Sequence, residues 1–416
     1  MSKSTQIENI NARKLFDSRG SPTIEVEVLS RGSSGIALAP SGASTGIHET
    51  VPYPKGGVDQ ALKILKELVA PKLLGLDVEK QEDVDSLLHN IDGTKNFEKI
   101  GGNVSIAISM ATAKAAASTK GISLSEYLSK KQMLQLPHPL GNVLGGGKHA
   151  GKNAPDIQEF LALPVRVQSF AKAAWANICV HAKVRSLLEK ADGTFTGGKG
   201  DEGAWAPNLK NDKALEIVAQ SCEAVSDELG VEVRTGLDVA SSSLWDGKEY
   251  AYARERVKRD AGEQRDYVLN LIKTYHLAYV EDPLYEEDFE GFAEITKETS
   301  SCLICGDDLF TTNIERLRTG IKLKAGNSII IKPNQIGTLT DTINTVNAAK
   351  TAGYVPIASH RSGETCDPYL AHLAVGLSCP IIKAGVVGGE RLAKINELIR
   401  IEESLGEKSS ITVLKL

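Results

Sequence analysis

The stretch SIIIKPNQIGTLTD (residues 328–341) decides the fold, because it holds a complete passage from a β-strand into an α-helix. Residues 328–331 form a short apolar run typical of a buried strand, and the run ends in the charged residue Lys332. Thr338 and Asp341 have the spacing of a capping box at the start of a helix. The stretch therefore predicts one βα unit of a parallel sheet.

Further apolar runs in the second half of the chain each end in a charged or otherwise reactive residue. Successive run ends are about 43, 26, 25, 28 and 23 residues apart, and most of these steps match one strand, one helix and two loops. In a β/α barrel the carboxyl ends of the parallel strands open on one face, so these side chains should converge on one site. The six run ends are Asp238, Glu281, Asp307, Lys332, His360 and Lys383.

The first third of the chain has a different pattern, which predicts α+β structure. Residues 5–40 alternate apolar and polar side chains between turns rich in Gly, Ser and Pro, as an antiparallel meander does. Apolar residues then recur at helical spacing over residues 59–70, and Asn103 opens a second, Ala-rich helix.

Pro137 and Pro139 interrupt the chain between these two patterns. We expect a domain boundary near residue 135, with an α+β domain over residues 1–135 and a barrel over residues 136–416. The predicted fold class is α/β: a modified β/α (TIM-like) barrel with a smaller N-terminal α+β domain.

Composition excludes several classes of protein. With 416 residues, 41% hydrophobic and 24% charged, the chain matches ordinary globular proteins. Its net charge of −5 offers no general attraction to nucleic acid or anionic lipid. The N-terminus lacks the apolar core of a signal peptide, no apolar run reaches about 18 residues, and the six cysteines are few for this length. We therefore expect a cytoplasmic protein that binds neither membrane nor nucleic acid.

The six run ends also indicate a chemistry. The first three are carboxylates, which hard cations such as Mg²⁺ prefer as ligands. The next three bring two lysines and His360, with Arg361 and Ser362 beside it, and would surround an anionic substrate with positive charge. Each lysine should lower the pKa of the other, and the metal should lower the pKa of both. Removal of a proton next to a carboxylate needs such an arrangement, because fixed positive charge stabilises the developing anion.

At this point the sequence resembles the enolase family along nearly its whole length. The segments SGASTG (residues 41–46) and SHRSGET (residues 359–365) are highly specific for that family. Other matching segments are DSRGSPT (residues 17–23), QEF (158–160), GDEG (200–203), EDP (281–283), GDDL (306–309), KPNQIG (332–337) and ERLAK (390–394).

The resemblance implies a Mg²⁺-dependent lyase that interconverts 2-phosphoglycerate and phosphoenolpyruvate. It also implies that the N-terminal domain caps the barrel, and that the chain assembles as a homodimer or a ring of dimers. Two Mg²⁺ ions per active site are implied, one structural and one catalytic. The implied ligands are Asp238, Glu281 and Asp307 for the structural ion, and Ser44, in a mobile loop, for the catalytic ion.

By the same resemblance, Lys332 would remove the C2 proton, and Glu202, helped by Glu159, would protonate the departing C3 hydroxyl. The resemblance also implies that His360 is a catalytic residue. The implied substrate contacts are Lys383 to the carboxylate, Arg361 and Ser362 to the phosphate, and His149, His360, Gln158, Glu159 and Glu281 around them.

The chain departs from the family pattern at residues 50–57, at Ala204 and Trp205, and at Cys366. A nucleotide-binding P-loop at residues 146–153 is disfavoured, because Asn153 replaces the hydroxyl residue that binds Mg²⁺. Two other functions stay open at this stage. One is a superfamily relative that dehydrates unphosphorylated acids, and the other is a binding protein that has kept the fold without catalysis.

Overall fold

The N-terminal part of the computed structural model, which describes residues 5–43, 45–129 and 133–414, is a three-stranded sheet with helices on it. The strands β1, β2 and β3 form an antiparallel meander in that order, which confirms the prediction for residues 5–40. Both predicted helices are present, and a π-helical turn over Leu65–Val69 continues the first. The elements are β1 (Ile7–Phe16), β2 (Pro22–Ser30), β3 (Ser33–Leu38), α1 (Gly57–Ile64), α2 (Ala70–Leu73), α3 (Gln81–Asp92), α4 (Gly102–Lys120) and α5 (Leu124–Leu128).

Helix α4 is apolar on nearly all sides because it lies between the sheet and the second half of the chain. Its alanines permit a close approach to β3, where a Cβ on Gly35 would lie 2.1 Å from the carbonyl oxygen of Ala111. On its other side α4 contacts the helices that follow Lys332. The N-terminal part is thus packed directly against the predicted site region.

From His138 onward the chain forms the predicted closed barrel of eight strands. Around the barrel the order is β10, β11, β12, β13, β4, β5, β6 and β9, and a small hairpin of β7 and β8 lies outside it. The strands are β4 (His138–Gly145), β5 (Glu159–Arg166), β6 (Glu232–Asp238), β7 (Tyr250–Tyr252), β8 (Val257–Arg259), β9 (Tyr279–Glu281), β10 (Leu303–Gly306), β11 (Ser328–Ile331), β12 (Val355–Ser359) and β13 (Ile381–Gly385).

Helices connect most of these strands on the outside of the barrel. Thr338 caps α12 as predicted, since its hydroxyl oxygen accepts from the backbone N–H of Asp341 at 3.1 Å. No helix in the described residues is long and apolar enough to cross a membrane. The helices are α6 (Phe170–Ala191), α7 (Asn211–Leu229), α8 (Ala261–Tyr275), α9 (Phe289–Glu298), α10 (Ile314–Leu323), α11 (Pro333–Ile336), α12 (Leu339–Thr351), α13 (Tyr369–Gly376) and α14 (Gly389–Leu405).

One strand of the barrel runs against the others. β5 is antiparallel to both β4 and β6, whereas the remaining neighbours are parallel. Because β4 and β5 are antiparallel, the connection between them needs no crossover helix. The reversal brings the first residue of β5, Glu159, to the edge where the other strands end. Convergence of parallel strand ends therefore accounts for six of the predicted site residues but not for Glu159.

Candidate active site

Three carboxylates lie side by side on neighbouring strands at the mouth of the barrel. Glu159 pairs in register with Asp238, and Asp238 with Glu281. On the far side of the barrel, β13 carries Lys383. Its amine reaches all three carboxylates, at 3.2 Å from Glu159, 3.0 Å from Asp238 and 2.6 Å from Glu281. All four side chains are buried, so the lysine offsets negative charge that water cannot screen.

Glu281 lies deepest of these groups, and its charge is poorly balanced. Burial raises its pKa well above the ordinary value, and the charge of Asp238 adds to that rise while Lys383 opposes it. One of its oxygens, Oε2, accepts from Tyr279 at 2.5 Å. Its other oxygen, Oε1, is buried with no hydrogen-bond partner among the described residues.

Lys332 extends from the end of β11 and pairs with Asp307 at the end of β10. The sequence predicts that Lys383 and the metal lower the pKa of this lysine; Lys383 does lower it, and the effect of the metal stays a prediction. Burial is the largest influence and lowers the pKa of Lys332, but the neighbouring carboxylates, Asp307 foremost, together hold it above its ordinary value. The pKa of Lys383 is likewise raised, because Asp238 and Glu159 outweigh the effect of its burial. Mutual repulsion of the two lysines is therefore the weaker influence.

A second group of titratable side chains surrounds Glu202, which lies in the loop between α6 and α7. His149 Nδ1 lies 3.4 Å from Glu159 and 3.7 Å from Glu202, so the histidine bridges the two carboxyl groups. His360 Nε2 lies 3.3 Å from Glu202, and the amide of Asn142 donates to Glu202 at 3.0 Å. Each of these titratable side chains is less than 10% exposed.

The pKa values of the two carboxyl groups in this cluster are shifted in opposite directions. Burial raises the pKa of Glu159, and the negative charge of Glu202 raises it further. Burial also raises the pKa of Glu202, but the neighbouring His360, His149 and Arg391 outweigh it and leave that pKa well below its ordinary value. Burial lowers the pKa of His149, yet Glu202 and Glu159 together raise it to about 9. The cluster therefore holds a proton close to two buried carboxylates at neutral pH.

Arg391, on α14, supports this cluster from behind. Its NH1 donates to His360 Nδ1 at 2.9 Å and to the carbonyl oxygen of Arg361 at 2.5 Å. Its NH2 donates to the carbonyl oxygens of Ser362 and Asp201, at 2.6 Å and 3.1 Å. Because Nδ1 of His360 accepts a hydrogen bond, we assign the ring proton to Nε2, which faces Glu202. The sequence assigned no role to this arginine, although it lies in the ERLAK segment.

The residues predicted to bind phosphate, Arg361 and Ser362, line the same cavity. Arg361 NH1 pairs with Glu49 at 2.9 Å, and Ser362 Oγ accepts from the backbone N–H of Ala43 at 2.6 Å. Gln158 donates to Asp238 at 3.4 Å. Ser44 lies outside the described residues. The other predicted site residues line this one cavity, except for Glu281, which lies beneath it; their roles stay predictions.

The carboxylates fit a hard divalent cation. Glu281 offers a buried oxygen without a hydrogen-bond partner, beside Asp238. Oxygens of Asp282, Asp307 and Asp308 lie within 4.8 Å of one another. Oxygen ligands crowded in this way suit Mg²⁺, which also relieves their repulsion. Sequence reasoning missed Asp282 and Asp308, which adjoin the predicted ligands.

The fold and the site define a β/α-barrel enzyme with acid–base side chains at the carboxyl face of the barrel. Models of two family domains match the chain, "Enolase, N-terminal domain" over residues 7–128 and "Enolase, C-terminal TIM barrel domain" over residues 133–414. The enolase of Methanosphaera stadtmanae is 56% identical over 402 residues, 96% of this chain and 97% of that protein. The enolase of Pyrobaculum aerophilum is 48% identical over 417 residues, 99% of this chain and 100% of that protein. This chain belongs to the enolase family, and it is a carbon–oxygen lyase, a phosphopyruvate hydratase.

His181, behind the Glu202 loop, should make the protein acid-sensitive. Its ring stacks on Trp205 and its Nε2 lies 3.0 Å from the carbonyl oxygen of Gly203. Burial lowers the pKa of His181 to about 4. Protonation below pH 6.5 therefore favours the unfolded state, and stability is lost as the pH falls from about 6.5 to about 4.

When the pH is lowered from 7 to 4.5, we expect the free energy of unfolding to fall less for His181→Gln than for the parent protein. The difference should be on the order of 2 kcal/mol, because one pKa unit is worth about 1.4 kcal/mol. Urea unfolding at both pH values measures it. His276→Gln, at an exposed helix end, is the control and should behave as the parent does. Equal acid sensitivity in the His181 variant would contradict the assignment.

Proposed function

We propose that this enolase catalyses the Mg²⁺-dependent, reversible dehydration of 2-phospho-D-glycerate to phosphoenolpyruvate, a step of glycolysis and gluconeogenesis. One observation carries the proposal. A single buried cavity is lined by Lys332, by Lys383 and by the Glu159–Glu202 pair. Removal of a proton from one carbon and of a hydroxyl from the next requires a base and an acid around one substrate.

Lys332 is the proposed base. It accepts the C2 proton at Nζ, and the electron pair of the broken C–H bond becomes the second bond between C2 and C3 when the hydroxyl leaves. Lys383 pairs with the substrate carboxylate, so that the negative charge developing there meets a fixed cation. The contact between Lys332 and Asp307 supports this assignment, since it holds the amine at the wall of the cavity.

Glu202 and Glu159 together are the proposed acid. The departing C3 hydroxyl needs one proton to leave as water, and the raised pKa of Glu159 favours a protonated carboxyl at this position. Glu202 is held by Asn142 and faces His360, which fixes its orientation. We propose that the proton rests on Glu159, and that Glu202, which is ionised before the reaction, passes it to the hydroxyl as the C3–O bond breaks.

We propose that Asp238, Glu281 and Asp307 hold one Mg²⁺ and that Ser44 contributes to a second. The ions would neutralise these carboxylates, lower the pKa values of the neighbouring lysines and stabilise negative charge on the substrate. Arg361 and Ser362 are the proposed phosphate ligands, with Gln158, His149 and Glu281 around the rest of the substrate. A guanidinium suits this role, because its planar donors match the geometry of a phosphate.

The boundary near residue 135, the cytoplasmic location and the homodimer or ring of dimers stay proposals. The six cysteines are all free thiols, which is consistent with a reducing compartment. Light scattering on the purified protein determines the oligomeric state.

A direct enzyme assay tests the function. Purified protein with Mg²⁺ should produce phosphoenolpyruvate from 2-phosphoglycerate, which ultraviolet absorbance follows. Unphosphorylated glycerate should give no dehydrated product, because Arg361 and Ser362 would have no phosphate to bind. Turnover of unphosphorylated acids without turnover of 2-phosphoglycerate would identify a different dehydratase, and no turnover of either would indicate a non-catalytic protein.

A further inference from the structure

Glu49 accepts two hydrogen bonds from the proposed phosphate-binding arginine, Arg361. Oε2 of Glu49 lies 2.9 Å from Arg361 NH1, and Oε1 lies 3.2 Å from NH2, so one carboxylate takes two donors of one guanidinium. Both side chains are buried, at 6% and 3% exposure. A buried pair with this two-point geometry fixes the plane of the guanidinium as well as its position.

The same carboxylate also holds the segment from residue 45 to residue 50. Its Oε1 accepts from the backbone N–H of Gly46 at 3.1 Å. The segment ends at Thr50, whose hydroxyl donates to the carbonyl oxygen of Asn334 at 2.9 Å and whose N–H donates to that of Gln335 at 2.9 Å. The segment is thereby attached to α11, directly after Lys332.

Gln335 extends the contact to the carboxylates of the barrel. Its side-chain amide donates to Asp307 at 2.8 Å and to Glu49 at 3.3 Å. Thr312 fixes the other end of that amide by donating to its oxygen at 2.7 Å. Glu49 thus contacts the proposed phosphate ligand, Arg361, directly. It is linked to a proposed metal ligand, Asp307, through the side chain of Gln335.

We propose that Glu49 is a positioning residue, which orients Arg361 toward the substrate phosphate and couples that arginine to the 45–50 segment. The inference rests on the proposed function. Glu49 itself does not contact the reacting atoms. A bound phosphate and the Glu49 carboxylate would hold the guanidinium from two sides, so the site is preorganised for the phosphorylated substrate before it arrives. Glu49 is then a determinant of the preference for 2-phosphoglycerate over glycerate.

Glu49→Gln tests this role, since it keeps the shape of the side chain and removes its charge. We expect KM for 2-phosphoglycerate to rise by about 10- to 100-fold, with a smaller fall in kcat, because the supporting shell of a ligand typically contributes that factor. Isothermal titration with phosphoenolpyruvate and Mg²⁺ should show a comparable loss of affinity.

A double-mutant cycle separates positioning from a general structural effect. In an Arg361→Lys background the Glu49→Gln change should alter the affinity for phosphoenolpyruvate by less than about twofold, because residues that act through one another are not additive. Glu286→Gln is the matched control: it removes another carboxylate contact with the same segment, to Ile47 N–H at 3.0 Å, without contacting Arg361. Its effect should be the same in both backgrounds.

Several outcomes would overturn the proposal. Tighter binding in the Glu49→Gln variant would show that the carboxylate competes with phosphate, and an equal loss in both backgrounds would show a structural role. If Glu49→Gln does not fold, Glu49→Asp provides the test, and an unchanged KM in that variant would overturn the role. Turnover of 2-phosphoglycerate by the parent protein is measured first, so that failure of the proposed function is distinguished from failure of this inference.

Discussion

Replacing Lys332 with alanine should abolish both dehydration and the exchange of the C2 hydrogen with deuterated water. Both reactions begin with removal of the C2 proton, and the structure places no other amine beside Asp307 among the described residues. We expect turnover to fall by roughly 10⁴-fold, the upper range for a general base. Mass spectrometry of recovered substrate measures the exchange. Lys322→Ala, at an exposed position of α10, is the control and should retain full activity.

Glu202→Gln should separate the two proton transfers. This variant should lose dehydration by a similar factor but keep substantial C2 exchange, because Lys332 can still remove the proton and return it. Glu159→Gln should also lose dehydration, since the pair then holds no readily shared proton. Rapid exchange in the Lys332 variant, or loss of exchange in the Glu202 variant as complete as in the lysine variant, would show that the roles are assigned wrongly.

Removal of divalent cations should abolish activity and lower the melting temperature. The buried carboxylates at the mouth of the barrel repel one another, and Glu281 Oε1 has no hydrogen-bond partner among the described residues. Mg²⁺ at 100 times its Kd should add about 3 kcal/mol to the free energy of unfolding. Thermal unfolding with EDTA, and again after Mg²⁺ is restored, measures this difference.

Glu281→Gln should reduce the stabilisation by Mg²⁺, because it removes one ligand and relieves part of the repulsion. Asp246→Asn, on the surface near the β7–β8 hairpin, is the matched control and should respond to Mg²⁺ as the parent protein does. Full activity in the presence of EDTA would exclude the proposed metal site.

Much of the site was predictable because local sequence determines where a buried strand ends. The runs that end at Asp238, Lys332 and Lys383 are short, apolar and regularly spaced, and barrel geometry then brings their ends together. Thr338 shows the same principle for a helix start, since a cap depends on residues within one turn.

The features that the sequence did not predict depend on contacts between distant segments. The reversal of β5 follows from its pairing with both β4 and β6, and no local sequence pattern around Glu159 predicts it. The pKa values of the lysines depend on which carboxylate lies nearest, and the strand ends alone predicted mutual repulsion instead. The contact of Glu49 with Arg361 joins residues from opposite ends of the chain.

Closure of the barrel sets a condition on how the protein is made. β4, the first barrel strand to be synthesised, pairs with β13, which lies near the end of the chain, and Arg391 on the following helix holds His360 in place. A ribosome must therefore synthesise all of residues 138–385 before the first barrel strand can pair with its last neighbour. Until that moment one edge of β4 is unpaired and open to wrong partners, which exposes the nascent barrel to aggregation while these residues are made.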